Sequence, residues 1–158
     1  MSTVHKINVK HLLVSLAISI GVGVLSGLLT MSGMETFERL AKPPLTPPGA
    51  VFPIVWFILY TLMGISSYLV YEANPRILSP ALIVYAVQLA VNFTWPLFFF
   101  NRQAFLTSFI IIIALWILII IMIVQFFKVS KTAAYLQIPY LLWVTFAAYL
   151  NFGVYLLN

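Results

Sequence analysis

The chain has 158 residues, 63% of them hydrophobic and only 7% charged, with a mean hydropathy of +1.10. Soluble domains carry about 25% charged residues, so this composition excludes a soluble domain and indicates an integral membrane protein. Cysteine and aspartate are absent and the net charge is +5. That excludes disulfides, thiolate metal sites and thiol nucleophiles, and the charge is too small and scattered to suggest nucleic acid.

A bilayer core takes about 20 apolar residues per helix. On that measure the sequence predicts an all-α integral membrane protein, a single domain built as a five-transmembrane-helix bundle. The spans fall at about 11–31, 50–71, 78–100, 104–127 and 133–156, with one long loop at 32–49. All eight Lys and Arg residues lie at or beyond the ends of these spans, as cationic flanks do.

The first span follows Lys6 and Lys10. Its apolar run is longer than a signal-peptide core and no small-x-small cleavage site follows, so it reads as a mature helix. His5 and His11 read as interfacial residues rather than ligands. Within the span, Gly23-Val-Leu-Ser-Gly27 forms a GxxxG and Ala17 with Gly21 a second small pair. Such pairs mark either a helix–helix contact between copies or close packing within one bundle.

The loop at 32–49 contains Glu35-Thr-Phe-Glu-Arg, which predicts a short helix before the prolines. Phe37, Leu40 and Leu45 predict that this loop folds over the bundle end as a lid. Five of the nine prolines fall between Lys42 and Trp56. Proline has a fixed φ and no N–H, so residues 42–48 are not ordinary helix.

The second span carries Trp56 and Tyr60 one turn apart, with Gly64 on the same face. The third carries Gln88, Asn92 and Trp95, which lie within about 60° of one another on a helix. Amides at membrane depth need partners that lipid does not supply, so this stripe faces the interior. Pro96 predicts a bend, because the carbonyl of Asn92 loses its donor. Ala86 and Ala90 make a further small pair. The fourth span holds nine Ile and almost no polar atoms. It is apolar all round and is expected mostly to face lipid, with Trp116 turned either way. The fifth carries Pro139 near its start and Trp143, Ala147, Leu150 and Asn151 on one face.

Three helices therefore present inward stripes of aromatic plus amide or small residues. A pocket lined by Trp56, Tyr60, Trp95, Trp143 and Phe146 suits a large, flat, apolar ligand oriented by a few polar groups. The alternative is a packed aromatic core with Asn92 and Asn151 hydrogen-bonded to each other. The apolar region holds no carboxylate, His, Cys or Lys, so no conventional acid, base, nucleophile or metal site is expected there.

Three stretches occur in one register. They are Lys42-Pro43 with Pro47-Pro48-Gly49, Val51-Phe52 and Trp56-x-x-x-Tyr60; Tyr85-x-x-Gln88-Leu89-x-x-Asn92-x-x-Trp95; and Pro139-Tyr140-x-x-Trp143-x-x-Phe146-Ala147-x-x-Leu150-Asn151. Together the chain from about 37 to 158 resembles the tryptophan-rich sensory protein family, also called the translocator protein or peripheral-type benzodiazepine receptor family. That resemblance implies a five-helix bundle, often a homodimer. It also implies binding of porphyrins, sterols and isoquinoline-type ligands in a cavity capped by the first loop, with the porphyrin as ligand or substrate and no other cofactor required. Carried over by motif, the cavity residues are Pro47, Ala50, Trp56, Tyr60, Asn92, Trp95, Trp143, Ala147 and Leu150; the stripes add Gln88, Phe146 and Asn151. Bacterial members, in the cell membrane, are associated with tetrapyrrole binding, stress sensing and light- and oxygen-dependent breakdown of protoporphyrin. For such breakdown Trp56 and Trp143 are the implied catalytic residues. A transporter or assembly partner is the third reading, which rests on the small-residue faces.

The chain departs from the family pattern in places. Leu45 and Ala50 stand where many bacterial members have lid tryptophans, and Phe37 is preceded by Thr36 where an aromatic pair is common. Position 152 is Phe and nothing cationic follows Tyr155, so the carboxyl-terminal sterol pattern is missing. The flanking charges, five against three, place the amino terminus in the cytoplasm, whereas the resemblance implies the reverse.

Overall fold

A computed structural model describes residues 6–158; His5 lies outside the described residues. The described residues form α1 (Val9–Arg39), α2 (Val51–Ala73), α3 (Pro80–Pro96), a π turn (Leu97–Asn101), α4 (Phe105–Val129), the short α5 (Lys131–Tyr135) and α6 (Ile138–Leu157). Taking α3 with its π turn and α5 with α6 gives five helical segments long and apolar enough to cross a membrane. The protein is thus a multi-pass integral membrane protein. The helices close a ring: α1 packs on α2, α2 on α5, α5 and α6 on α4, α4 on α3, and α3 with its π turn returns to α1.

Local chemistry sets the helix starts. Asn8 caps α1 by accepting from the His11 amide at 3.2 Å, and Ser79 and Ser130 cap α3 and α5 in the same way. Pro80 and Pro139 sit in first turns, where a missing N–H leaves no bond unmade. His11 Nδ1 pairs with Glu72, and the Asn8 amide donates to the Tyr68 hydroxyl at 3.0 Å, which fastens the start of α1 to the end of α2.

Three expectations are corrected. The loop predicted at 32–49 shortens to residues 40–50, because α1 continues to Arg39. No breaker precedes Pro43 except Gly33, and Glu35 with Arg39 forms an i, i+4 ion pair at 2.8 Å. The fifth span is two helices: α5 ends at Tyr135 and α6 begins at Ile138. Gln137 at the junction is fully buried and donates to Ser66 Oγ at 2.6 Å and to the Leu62 carbonyl at 3.3 Å. Pro96 leads not into a simple bend but into the π turn, where Arg102 N reaches back to the Leu97 carbonyl at 3.2 Å. That wider turn re-seats a ladder interrupted by a residue that cannot donate.

α4 leaves most of its surface outside the bundle, with 28% of its most apolar window buried, in keeping with the expectation that it mostly faces lipid. Ser108, Ile112, Leu115, Ile119, Met122 and Phe126 form a buried stripe at helical spacing against α3 and α6. A helix apolar all round can bury whichever stripe its neighbours complement. Trp116 turns toward α6 and donates its indole N–H to Thr145 Oγ1 at 2.8 Å.

The loop at residues 40–50 is tied to α6. Pro43 is buried and seats on Gly153, where any Cβ would lie 2.5 Å from the proline ring. Tyr149 donates its hydroxyl to the Pro44 carbonyl at 2.8 Å, and Asn158 brackets both backbone groups of Ala41 at 2.9 and 3.2 Å. Leu45 stands at φ 69° with 82% of its surface exposed. A leucine in the left-handed region costs on the order of 1 kcal/mol, here held by the Thr46 hydroxyl on the Pro43 carbonyl at 2.6 Å.

Candidate functional site

Glycines let α1 touch the bundle at two levels. A Cβ at Gly23 would lie 2.4 Å from the Tyr60 ring, and one at Gly33 would lie 2.6 Å from Phe100 on the π turn. Ten residues of helix separate these contacts, a rise of about 15 Å. Between them nothing lies within 4 Å of the Cβ position of Gly27. There α1 leaves a cavity of about 450 Å³ against α2 and the carboxyl-terminal half of α3.

Three helices line it. α1 gives Ile20, Val24, Gly27, Thr30, Met31 and Met34; α2 gives Phe52, Trp56, Phe57 and Tyr60; α3 and its π turn give Asn92, Trp95, Pro96 and Phe100. Val24, Leu28 and Met31 on α1 and Phe57 on α2 are each more than half exposed. The mouth therefore lies between α1 and α2, on the surface that meets acyl chains. The Trp56 ring packs against Tyr60 with centroids 5.7 Å apart, and Trp95 stacks on Phe99 at 5.2 Å. These walls offer broad aromatic faces.

The floor is polar and uncharged. Tyr60 donates its hydroxyl to Asn92 Oδ1 at 2.7 Å, Asn92 Nδ2 donates to the Tyr140 hydroxyl at 2.6 Å, and Tyr140 donates to Gln88 Oε1 at 2.8 Å. Gln88 Nε2 ends the chain on Met63 Sδ at 3.9 Å. The four residues after Tyr60 are 0 to 2% exposed. Amides at this depth are tolerated because every one is paired.

Asn92 and Asn151 do not bond to each other, contrary to the packed-core alternative drawn from the sequence. Asn151 accepts the Trp95 indole N–H at 2.9 Å and donates to the Phe105 carbonyl at 2.8 Å, which ties α3, α4 and α6 behind the cavity.

The residues singled out in the sequence thus divide. Trp56, Tyr60, Asn92 and Trp95 line the cavity. Gln88 stands behind Asn92 through Tyr140, and Asn151 stands behind Trp95. Trp143 packs on Phe52 at 5.9 Å and on Phe146 at 5.6 Å, so Phe52 lies between it and the cavity. Ala147 and Leu150 are buried in helix packing. Pro47 and Ala50 lie in the loop at residues 40–50 and do not line the cavity. In place of α6, α1 forms the third wall. Its signal in the sequence was the spacing of Gly23, Ser26, Gly27 and Thr30, small residues that line one side of a helix without filling it. Tyr140 and Met63, which complete the floor, carried no signal beyond apolar periodicity.

Residues 14–157 match the model of the TspO/MBR family. The chain is 38% identical over 124 residues to the tryptophan-rich protein TspO of Chlorobaculum tepidum, covering 77% of this chain and 78% of that one. It is 36% identical over 152 residues to the TspO of Archaeoglobus fulgidus, covering 96% and 99%. To the human translocator protein it is 33% identical over 144 residues, covering 89% and 85%.

Proposed function

The chain belongs to the TspO/MBR family of membrane proteins, and on that premise we propose that it binds a porphyrin, or another large flat apolar molecule, in the cavity between α1, α2 and α3. The observation that carries this reading is the cavity itself. It has about 450 Å³ of space, walls of Trp56, Trp95 and Phe100, a small neutral polar floor and a mouth on the lipid-facing surface. A ligand dissolved in the bilayer enters such a site without crossing water. Aromatic walls hold it by dispersion and stacking, and the floor orients it.

Binding takes precedence over photo-oxidative degradation. Of the two tryptophans that a stacked, light-excited porphyrin would use, only Trp56 lines the cavity, with Trp143 behind Phe52. The reading includes the cell membrane as location and a homodimer that meets through the open side of α1, where nothing lies within 4 Å of the Cβ position of Gly21.

The test is a titration of the protein in nanodiscs with protoporphyrin, followed by tryptophan quenching in darkness and then in light. Saturable quenching that Gly27→Phe removes, with the porphyrin spectrum constant in light, is the expected result. Unchanged affinity in both Trp56→Ala and Gly27→Phe overturns the site. Bleaching of the porphyrin bands that requires Trp56 replaces binding with degradation.

A further inference from the structure

The floor of the cavity has a direction, set at the end farthest from the ligand. Met63 is fully buried, and its thioether sulfur is an acceptor only. The end of the Gln88 amide beside it is therefore the NH2 end, at 3.9 Å. The reverse orientation would put two sets of lone pairs against each other. Gln88 Oε1 then faces Tyr140, which must donate to it at 2.8 Å. A phenol has one proton, so toward Asn92 the Tyr140 oxygen can only accept, and it takes Asn92 Nδ2 at 2.6 Å. That turns Asn92 Oδ1 to Tyr60, which donates at 2.7 Å.

We infer that Met63, Gln88 and Tyr140 are positioning residues that make the cavity floor a hydrogen-bond acceptor, because they commit the only proton of Tyr60 to Asn92. The site therefore selects flat apolar ligands that carry an N–H or O–H donor at the edge inserted toward Tyr60. Acceptor-only edges, carbonyl or carboxylate, are turned toward the mouth. This rests on the ligand-binding reading of the cavity and adds to it the sense of the Tyr60 contact.

Three rigid tricycles of nearly the same shape test the inference: carbazole with an N–H, dibenzofuran with an acceptor oxygen, and fluorene with a CH2. Each is titrated by calorimetry into the nanodisc-embedded protein, against empty nanodiscs as the partition blank. One good neutral hydrogen bond predicts that carbazole binds about fivefold tighter than dibenzofuran. In Tyr60→Phe that ratio falls to about one, whatever packing change shifts the three affinities together. Met63→Leu removes the acceptor that holds Gln88, so the ratio falls there too. That readout separates a positioning role from a packing role, since a packing defect would move all three ligands together. Equal binding of carbazole and dibenzofuran, or a preference for dibenzofuran, with fluorene bound overturns the inference and leaves the cavity standing. Failure of all three, fluorene included, overturns the cavity reading and the inference with it.

Discussion

Helices α1 and α4 have the highest mean hydropathies of the five spans, 2.4 and 3.2 over their most apolar windows, yet they do opposite things. Of the residues in those windows, 28% are buried in α4 and only 11% in α1. α4 presents Ile112, Leu115, Ile119, Met122 and Phe126 to the bundle, all 0 to 1% exposed. α1 presents Ser19, Ser26, Thr30, Gly33 and, at its end, Phe37. In a bilayer, lipid tails are as apolar as leucine, so helices associate through fit rather than through escape from water. Large branched side chains fill the space between α4 and its neighbours. Small ones bring α1 into contact where a partner ring or backbone fits against them, at Gly23, Gly33 and Gly64, and leave a void where none does. The cavity is that void.

The contrast predicts a graded series. The largest loss comes from Gly64→Leu, since a Cβ there already meets Ser19 Oγ at 2.6 Å and the Leu16 backbone at 3.0 Å. The α1–α2 contact should be lost at a cost of about 3 kcal/mol, read as a fall in folded yield and in melting temperature in detergent. Next is Ile119→Ala in the filled seam of α4, which should destabilise by about 2 kcal/mol through lost packing. Gly27→Phe should change stability by less than about 0.5 kcal/mol, the range of substitutions that touch nothing, while abolishing saturable porphyrin quenching. The smallest effect is expected from Gly21→Leu on the outer side of α1, which should move neither monomer stability nor porphyrin affinity. The comparison breaks if Gly27→Phe costs as much stability as Ile119→Ala, because α1 would then be packed as tightly as α4. It sharpens if Gly27→Ala, Val and Phe lower affinity in order of added volume.

The two helices also show where reading the sequence succeeded. The prolines between Lys42 and Trp56, the placement of every cation and the apolar runs gave the number of spans and their approximate ends. They missed that α1 runs on to Arg39, because the Glu35–Arg39 pair and the lack of a breaker before Pro43 outweigh the polarity of that stretch. Helical spacing put Trp56, Tyr60, Asn92 and Trp95 on inward faces, and these four meet at one cavity. The same spacing put Trp143, Ala147 and Asn151 on an inward face of α6, which is also where they lie, but an inward face does not say which neighbour it meets. Phe52 separates Trp143 from the cavity, and Asn151 serves Trp95 rather than a ligand.

By itself, then, the sequence determined the membrane class, the five spans, the family and the inward sides of α2, α3 and α6. Those follow from hydropathy, proline chemistry and a period of 3.6 residues, which are local properties of the chain. Only the tertiary structure decided that α1 rather than α6 walls the cavity, that the proline loop is anchored on Gly153, and that Met63 and Tyr140 complete the floor. These depend on which small residue finds a ring to lie against and which finds empty space. They depend equally on which of two ends each amide turns to its partner, a choice transmitted between helices across the bundle and written in no single stretch of the chain.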